Sequence, residues 1–254
     1  MSQVNANIDE NIHAFGNDLA LLDRLNAMEP EALLAWSHEN FGERAAIITS
    51  FQNTGCVMID MASRVAPGLR VVTVDTLRLH DETYALMDEI EKRYGLTIER
   101  FQPDPEKLER MVKQHGEFLF FDSKDKQEFC CHIRKVEPNN RALDSVDVWI
   151  SGLRRDHSEF RKATPKATYV EPNDRPILKL NPLADWDEQA IRRYSDEHTV
   201  PHNALYDKGY TSIGCMICTT PTLPWEDKRA GRWRWFNGSD DNKECGIHIS
   251  GSGI

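Results

Sequence analysis

The chain has 254 residues, 40% hydrophobic and 28% charged, with a formal net charge of −10. That length allows one generous domain with a real core, and the composition is that of a globular protein. The acidic balance argues against general nucleic-acid binding, which needs a positive footprint, and no apolar run reaches the roughly 20 residues of a membrane span. The start, Met1 to Phe15, lacks a basic stretch followed by an apolar one, so no secretory signal is expected and a cytoplasmic protein is the natural expectation.

A helix is predicted over Glu31 to Asn40, behind Pro30, a favoured first helical residue. Ala45 to Thr49 reads as a strand and runs into Ser50-Phe-Gln-Asn-Thr-Gly-Cys56 and a further helix. Such a loop can offer backbone N–H groups and hydroxyls to a phosphate. It carries neither a Gly-Lys-Ser/Thr nor a GxGxxG signature, and an ordinary connection suits it equally well. A second strand, Val71 to Val74, ends in Asp75-Thr-Leu-Arg-Leu-His80. Asp81 is then expected to cap a helix through Leu86, Ile90 and Tyr94, stopped by Gly95. A third strand, Val146 to Ile150, leads into a segment carrying Gly152, Arg154, Arg155, Arg161 and Lys162, with Asp156 and Glu159 partly offsetting the cations. Asp187 to His198 reads as another helix.

Nearly continuous apolar strands alternating with amphipathic helices predict an α/β fold, a mostly parallel sheet flanked by helices. The strand-end loops then share the carboxyl edge of the sheet, where ligands bind in such folds. Beyond Thr219, prolines and glycines break up long elements and Trp225, Trp233 and Trp235 crowd together. Past Phe236 a tail with a mobile tip is expected.

The six cysteines are Cys56, Cys130, Cys131, Cys215, Cys218 and Cys245. Without a signal they suit metal or redox chemistry better than a disulfide scaffold. Cys215 and Cys218 form a CxxC, and the vicinal Cys130–Cys131 pair makes at best a strained disulfide, so a shared metal site is the simpler account. Four thiolates suit zinc or an iron–sulfur cluster in ligand count; the vicinal pair favours the cluster, whose separate irons can each take one crowded sulfur. Cys56 reads as helix packing. Cys245 stands apart; an unperturbed thiol is only about 3% ionised near neutral pH, so a catalytic role would require a cationic pocket such as Arg229 and Arg232 could help to form.

Taken together, Cys130-Cys-His-Ile-Arg-Lys-Val-Glu-Pro138, Ser151-Gly-Leu-Arg-Arg-Asp156, Ser212-Ile-Gly-Cys-Met-Ile-Cys218, Glu226 to Trp233 and Lys243-Glu-Cys-Gly-Ile-His248 resemble the assimilatory sulfonucleotide reductases, particularly the cluster-containing adenylyl-sulfate (APS) reductases. The resemblance implies an adenine nucleotide alpha-hydrolase-like fold of the ATP-pyrophosphatase type. It implies a [4Fe–4S] cluster on Cys130, Cys131, Cys215 and Cys218, with Lys135 near cluster and substrate. It implies Cys245 as the nucleophile that takes the sulfonate from APS, and thioredoxin (or glutaredoxin) as reductant. Ser50, Phe51, Asp75, Thr76, Arg78, Lys135, Gly152, Arg154, Arg155, Arg161, Arg229, Arg232 and His248 are the expected substrate contacts. Residues 1–235 would be a single α/β nucleotide-binding domain and 236–254 a mobile tail bringing Cys245 to it, in a protein open to homo-oligomerisation. Three positions depart from the family pattern: Gln52 and Leu77 stand where glycine is usual, and Thr219-Thr-Pro-Thr222 lacks a common arginine. Rival expectations are a reductase of the 3′-phosphorylated nucleotide (PAPS), an ATP-using adenylating or thiolating enzyme of similar fold, and a metal-stabilised binding protein.

Overall fold

The computed structural model describes residues 18–157 and 161–236. Helices α1 (Leu19–Asn26) and α2 (Pro30–Phe41) precede strand β1 (Ala45–Ile48), helix α3 (Asn53–Val65), strand β2 (Arg70–Val74), helix α4 (Asp81–Tyr94) and strand β3 (Ile98–Phe101). Helices α5 (Pro105–His115), α6 (Lys124–Cys131) and α7 (Glu137–Asp144) lead to strands β4 (Val148–Ile150), β5 (Ala167–Val170) and β6 (Ile177–Leu180), and then to helix α8 (Glu188–His198).

The six strands lie in the order β3-β2-β1-β4-β6-β5, all parallel except β5 at one edge. The expected mostly parallel sheet is thus present. Alternation along the strands splits the core in two. Ala45, Ile47, Val71, Val148 and Leu178 face a layer built from α1, α2, α3, α4 and α8. Ala46, Val72, Trp149 and Ile177 face Ala142 and Leu143 of α7. Burial on both faces explains the unbroken apolar runs.

Short polar residues start the helices where the sequence offers them. Asp18 accepts from Leu21 N, Asp104 from Lys107 N, Ser123 from Lys126 N and Asp187 from Ala190 N. Asp81, expected as a cap, is instead the first residue of α4; His80 occupies the cap position without a side-chain bond. The third strand is shorter than expected, because Asp147 turns to accept from Arg44 Nε and Arg175 Nη1, both at 2.9 Å. No helix among the described residues is long and apolar enough to cross a membrane.

Candidate active site

Strand order reverses direction at β1: β2 and β3 lie on one side, β4 and β6 on the other. The crevice at the carboxyl ends of β1 and β4 is therefore a topological switch point, where open α/β sheets bind ligands. Three loops border it. After β1, Ser50 is exposed and accepts from Gln52 Nε2, while Phe51 is fully buried with a left-handed φ of 55°. Gly55 lets α3 approach this strand end: a Cβ there would lie 2.0 Å from Thr49 Oγ1. After β4, a Cβ on Gly152 would lie 3.4 Å from Thr54 and 3.5 Å from Met58. Arg154 is buried, donating to Thr54 Oγ1 at 2.8 Å and to both oxygens of Asp156 at 2.9 and 3.0 Å. Arg161, also buried, approaches His157 Nδ1 at 3.3 Å. Burial, reinforced by Arg154 and Arg161, lowers the His157 pKa to about 3, so its ring stays neutral. Arg155 is turned outward and donates to the Thr164 carbonyl, apart from Arg154.

The loop after β2 joins this crevice to the cysteines. Asp75, expected as a substrate contact, has both oxygens engaged: Leu77 N and Tyr84 Oη donate to Oδ1, and Gln102 Nε2 to Oδ2. It closes its own loop. Thr76 Oγ1 lies 3.3 Å from Cys215 Sγ, and the Thr76 carbonyl accepts from Arg134 Nη1 at 3.0 Å. The Arg78 carbonyl accepts from Met216 N at 2.8 Å, and its guanidinium lies over the Phe120 ring and donates to the Glu117 carbonyl. Arg78 thus belongs to the cysteine side of the site.

Cys130 and Cys218 are buried, and Cys131 and Cys215 pack against the same apolar cluster of Met111, Leu119, Phe120, Ile133 and Trp233. The structure brings the vicinal pair and the CxxC together across more than 80 residues of sequence. A π turn, His132–Val136, follows Cys131. Pro138 lacks the N–H that would bond residue 134, and the wider turn absorbs that defect within an otherwise continuous helix. Burial raises the Cys131 thiol to about 12, opposed by Lys135, and raises Cys130 and Cys218 as well; each of the three also feels the charge of Cys215. Arg134 and Arg78 act on Cys130 in the opposite sense.

The donor set fits a thiolate-held inorganic group. Two buried N–H donors beside the cysteines, Arg134 Nε and Trp233 Nε1, have no protein acceptor, and sulfur atoms would satisfy them. No three His, Cys, Asp or Glu side chains among the described residues form a group able to hold a single ion. Arg232 is buried over the Trp233 ring with its Nε lacking a partner, and its guanidinium fills the space a Gly214 side chain would need, within 2.2–2.5 Å. Burial of an unneutralised cation is costly, which makes Arg232 a ready receptor for an anion. Arg229 follows Asp227, whose carboxylate accepts from Arg229 N. Cys245 and His248 lie outside the described residues.

Arg134 escaped the sequence reading. Its place four residues after Cys130 on a helix was the available signal, and the neighbouring Lys135 drew attention instead. Thr54 was missed because its role depends on Arg154, 100 residues away.

Residues 44–221 match the phosphoadenosine phosphosulfate reductase domain family. The chain belongs to that family. Among its relatives is a protein named adenosine 5'-phosphosulfate reductase from Agrobacterium fabrum, 40% identical over 83% of this chain and 80% of the relative. One of the same name from Burkholderia cepacia is 45% identical over 71% and 70%. The crystal structure of a phosphoadenylyl-sulfate (PAPS) reductase from Candida auris, a phosphate complex, superposes with TM-score 0.68 at 31% identity, covering 80% of this chain and 98% of that one. Candida glabrata FMN adenylyltransferase, at 16% identity and TM-score 0.53 over 80% of this chain and 66% of that one, shares the fold alone. The family carries the adenine nucleotide alpha-hydrolase-like fold, and its members are reductases acting on sulfur.

Proposed function

We propose that the protein reduces adenylyl sulfate to sulfite and AMP in assimilatory sulfate reduction, with Cys245 as nucleophile and thioredoxin or glutaredoxin as electron donor. One observation supports this: the loop after β2, which borders the crevice, meets the cysteine side through Thr76, whose hydroxyl lies 3.3 Å from Cys215 Sγ and whose carbonyl accepts from Arg134. Adenosine and the α-phosphate would occupy the crevice among Ser50, Phe51, Gly152, Arg154 and Arg161. The sulfate would face Lys135, Arg229 and Arg232.

In that arrangement the Cys245 thiolate attacks the sulfate sulfur, the bond from sulfur to the bridging oxygen breaks, and AMP leaves with the electron pair. The Cys S-sulfonate is then opened at Cys245 by a thiol of the reductant, sulfite leaves, and a second reductant thiol frees Cys245; the reductant supplies both electrons. Arg232 and Lys135 neutralise the sulfonate and favour the thiolate. His248, near Cys245 in sequence, belongs to the same proposed set. Cys130, Cys131, Cys215 and Cys218 would hold a [4Fe–4S] cluster, which when bound would act electrostatically on the site and cross-link α6 to the Cys215 loop.

The APS relatives are 36–45% identical, against 31% for the PAPS reductase, which favours the nucleotide without a 3′-phosphate. The test is mass spectrometry of the iron-loaded protein mixed with APS and no reductant. A sulfonate adduct on Cys245, absent in Cys245→Ser, is expected; active protein without an adduct would refute the mechanism. Parallel sulfite assays with APS and PAPS decide the substrate, and iron and acid-labile sulfide analysis decides cluster against zinc.

A further inference from the structure

Two arginines on the cysteine side stand where a cation is hard to keep. Arg134, four residues after Cys130, is buried; its Nη1 donates to the Thr76 carbonyl at 3.0 Å, and its Nε finds no protein acceptor. Arg78 comes from the loop after β2 and is buried as well. Its guanidinium lies 5.1 Å from the Phe120 ring centroid and donates to the Glu117 carbonyl at 2.8 Å. Phe120 and Cys130 belong to one apolar cluster. Burial and the charge of Arg78 both act against the Arg134 guanidinium, whereas Cys130 and Cys215, when ionised, act in its favour.

Carboxylates do not answer these charges. Glu117 Oε1 lies 3.4 Å from Arg78 Nη2, but the Glu117 side chain is 62% exposed, so water screens the pair. At Arg134 the acceptor is a neutral carbonyl. Like charges buried together without a counter-ion are costly, yet the backbone fixes both arginines here. The Arg78 carbonyl accepts from Met216 N at 2.8 Å, between Cys215 and Cys218, and Arg134 closes onto the same loop at Thr76.

We propose that Arg78 and Arg134 are the built-in counter-charge of the inorganic group that the four cysteines would hold. Four thiolates around a doubly positive core leave a net double negative charge, and two guanidiniums balance it. The orphan Arg134 Nε would then have sulfur as its acceptor. Lys135, which acts on Cys131, and Arg232, which acts on Cys218, remain as the cations for the sulfate. The inference rests on the reading of the four cysteines as ligands. It moves Arg78, expected as a substrate contact, to the service of the inorganic group.

The test follows loss of the inorganic group from the full-length iron-loaded protein, read as bleaching of its visible absorbance by an uncharged bipyridine chelator without oxygen. Arg134→Gln and Arg78→Gln remove the charge and keep a side-chain donor. Each should speed the loss roughly ten-fold, as changes behind metal ligands do. Arg134→Lys and Arg78→Lys, which keep the charge, should stay closer to the wild type than the Gln variants. Gln variants that bleach at the wild-type rate, or Lys variants that bleach as fast as the Gln ones, would overturn the proposal. AMP binding is measured alongside, and Arg78→Gln should leave its Kd unchanged; a raised Kd with unchanged bleaching would return Arg78 to the nucleotide. If a Gln variant does not fold, the Lys variant at that position decides: slow loss supports the counter-charge and rapid loss refutes it. The two readings fail separately. Zinc without sulfide in the wild type sinks the cluster alone, because a zinc tetrathiolate has the same net charge and its release can be followed instead. An iron–sulfide chromophore equally stable in every variant sinks the counter-charge alone.

Discussion

Gly214 shows how a single missing side chain sets the site. It precedes the ligand candidate Cys215, and its empty β-position is where the Arg232 guanidinium rests. Gly214→Ala is therefore expected to push Arg232 off Trp233 and lower the rate of sulfonate transfer about 10- to 100-fold, as displacements of roughly 1 Å do. Stability should change by only about 1 kcal/mol; single-turnover kinetics beside a urea titration checks both. At this scale the sequence was partly legible. The CxxC and the vicinal pair announced themselves by spacing, and the structure gathers all four. Arg78, expected as a substrate contact, stacks on Phe120 beside the cysteines, a direction set by a loop whose backbone is left-handed at Leu77. Asp75, expected as a substrate contact, also accepts from Leu77 N, Tyr84 Oη and Gln102 Nε2, a loop-closing part that spacing does not encode.

Among elements, the buried Asp60 of α3 links three helices. Burial opposes its ionisation, but hydrogen bonds donated by Tyr194 of α8, Arg64 and Tyr94 of α4 outweigh that and hold its carboxyl below the ordinary 3.8. A carboxyl with a depressed folded-state pKa contributes stability that is complete above its unfolded value and lost as pH falls through the folded one. Denaturation midpoints of the wild type should thus decline below about pH 4 more steeply than those of Asp60→Asn, measured by urea titration at stepped pH. Equal slopes would show that the network contributes nothing to acid stability. The α2, α4 and α8 helices were readable because their apolar faces and stops are local. Strand β6 was not: Ile177–Leu180 carries Lys179, fully buried with Nζ 4.1 Å from the Trp149 ring centroid. Burial lowers that ammonium to about 7. A lysine inside a central strand contradicts the pattern unless its tertiary partner is known. Strand β3, with Glu99 and Arg100 in only four residues, was lost for a similar reason.

For the whole molecule, the switch point at β1 depends on β4 being held in register between β1 and β6. Asp147, at the entrance to β4, is nearly inaccessible and takes Arg44 from before β1 and Arg175 from before β6. Asp147→Ala removes the buried acceptor that ties the half-exposed Arg44 and Arg175 together and should cost about 1.5–3 kcal/mol in a urea titration; a change under about 1 kcal/mol would place the register elsewhere. The mostly parallel architecture was visible in advance from the alternation of apolar runs and helices, whereas the antiparallel β5 edge was not, since pairing direction arises from connections rather than composition.

The π turn after Cys131 carries a consequence for gene-level change. It amounts to one extra residue inside an otherwise regular helix from Lys124 to Asp144. Deleting a residue there would close the turn to ordinary α geometry and set Pro138 into an unrelieved helix, at about 3 kcal/mol. The wide turn and Pro138 are thus matched: losing one residue between His132 and Val136 removes the relief while the proline that needs it stays.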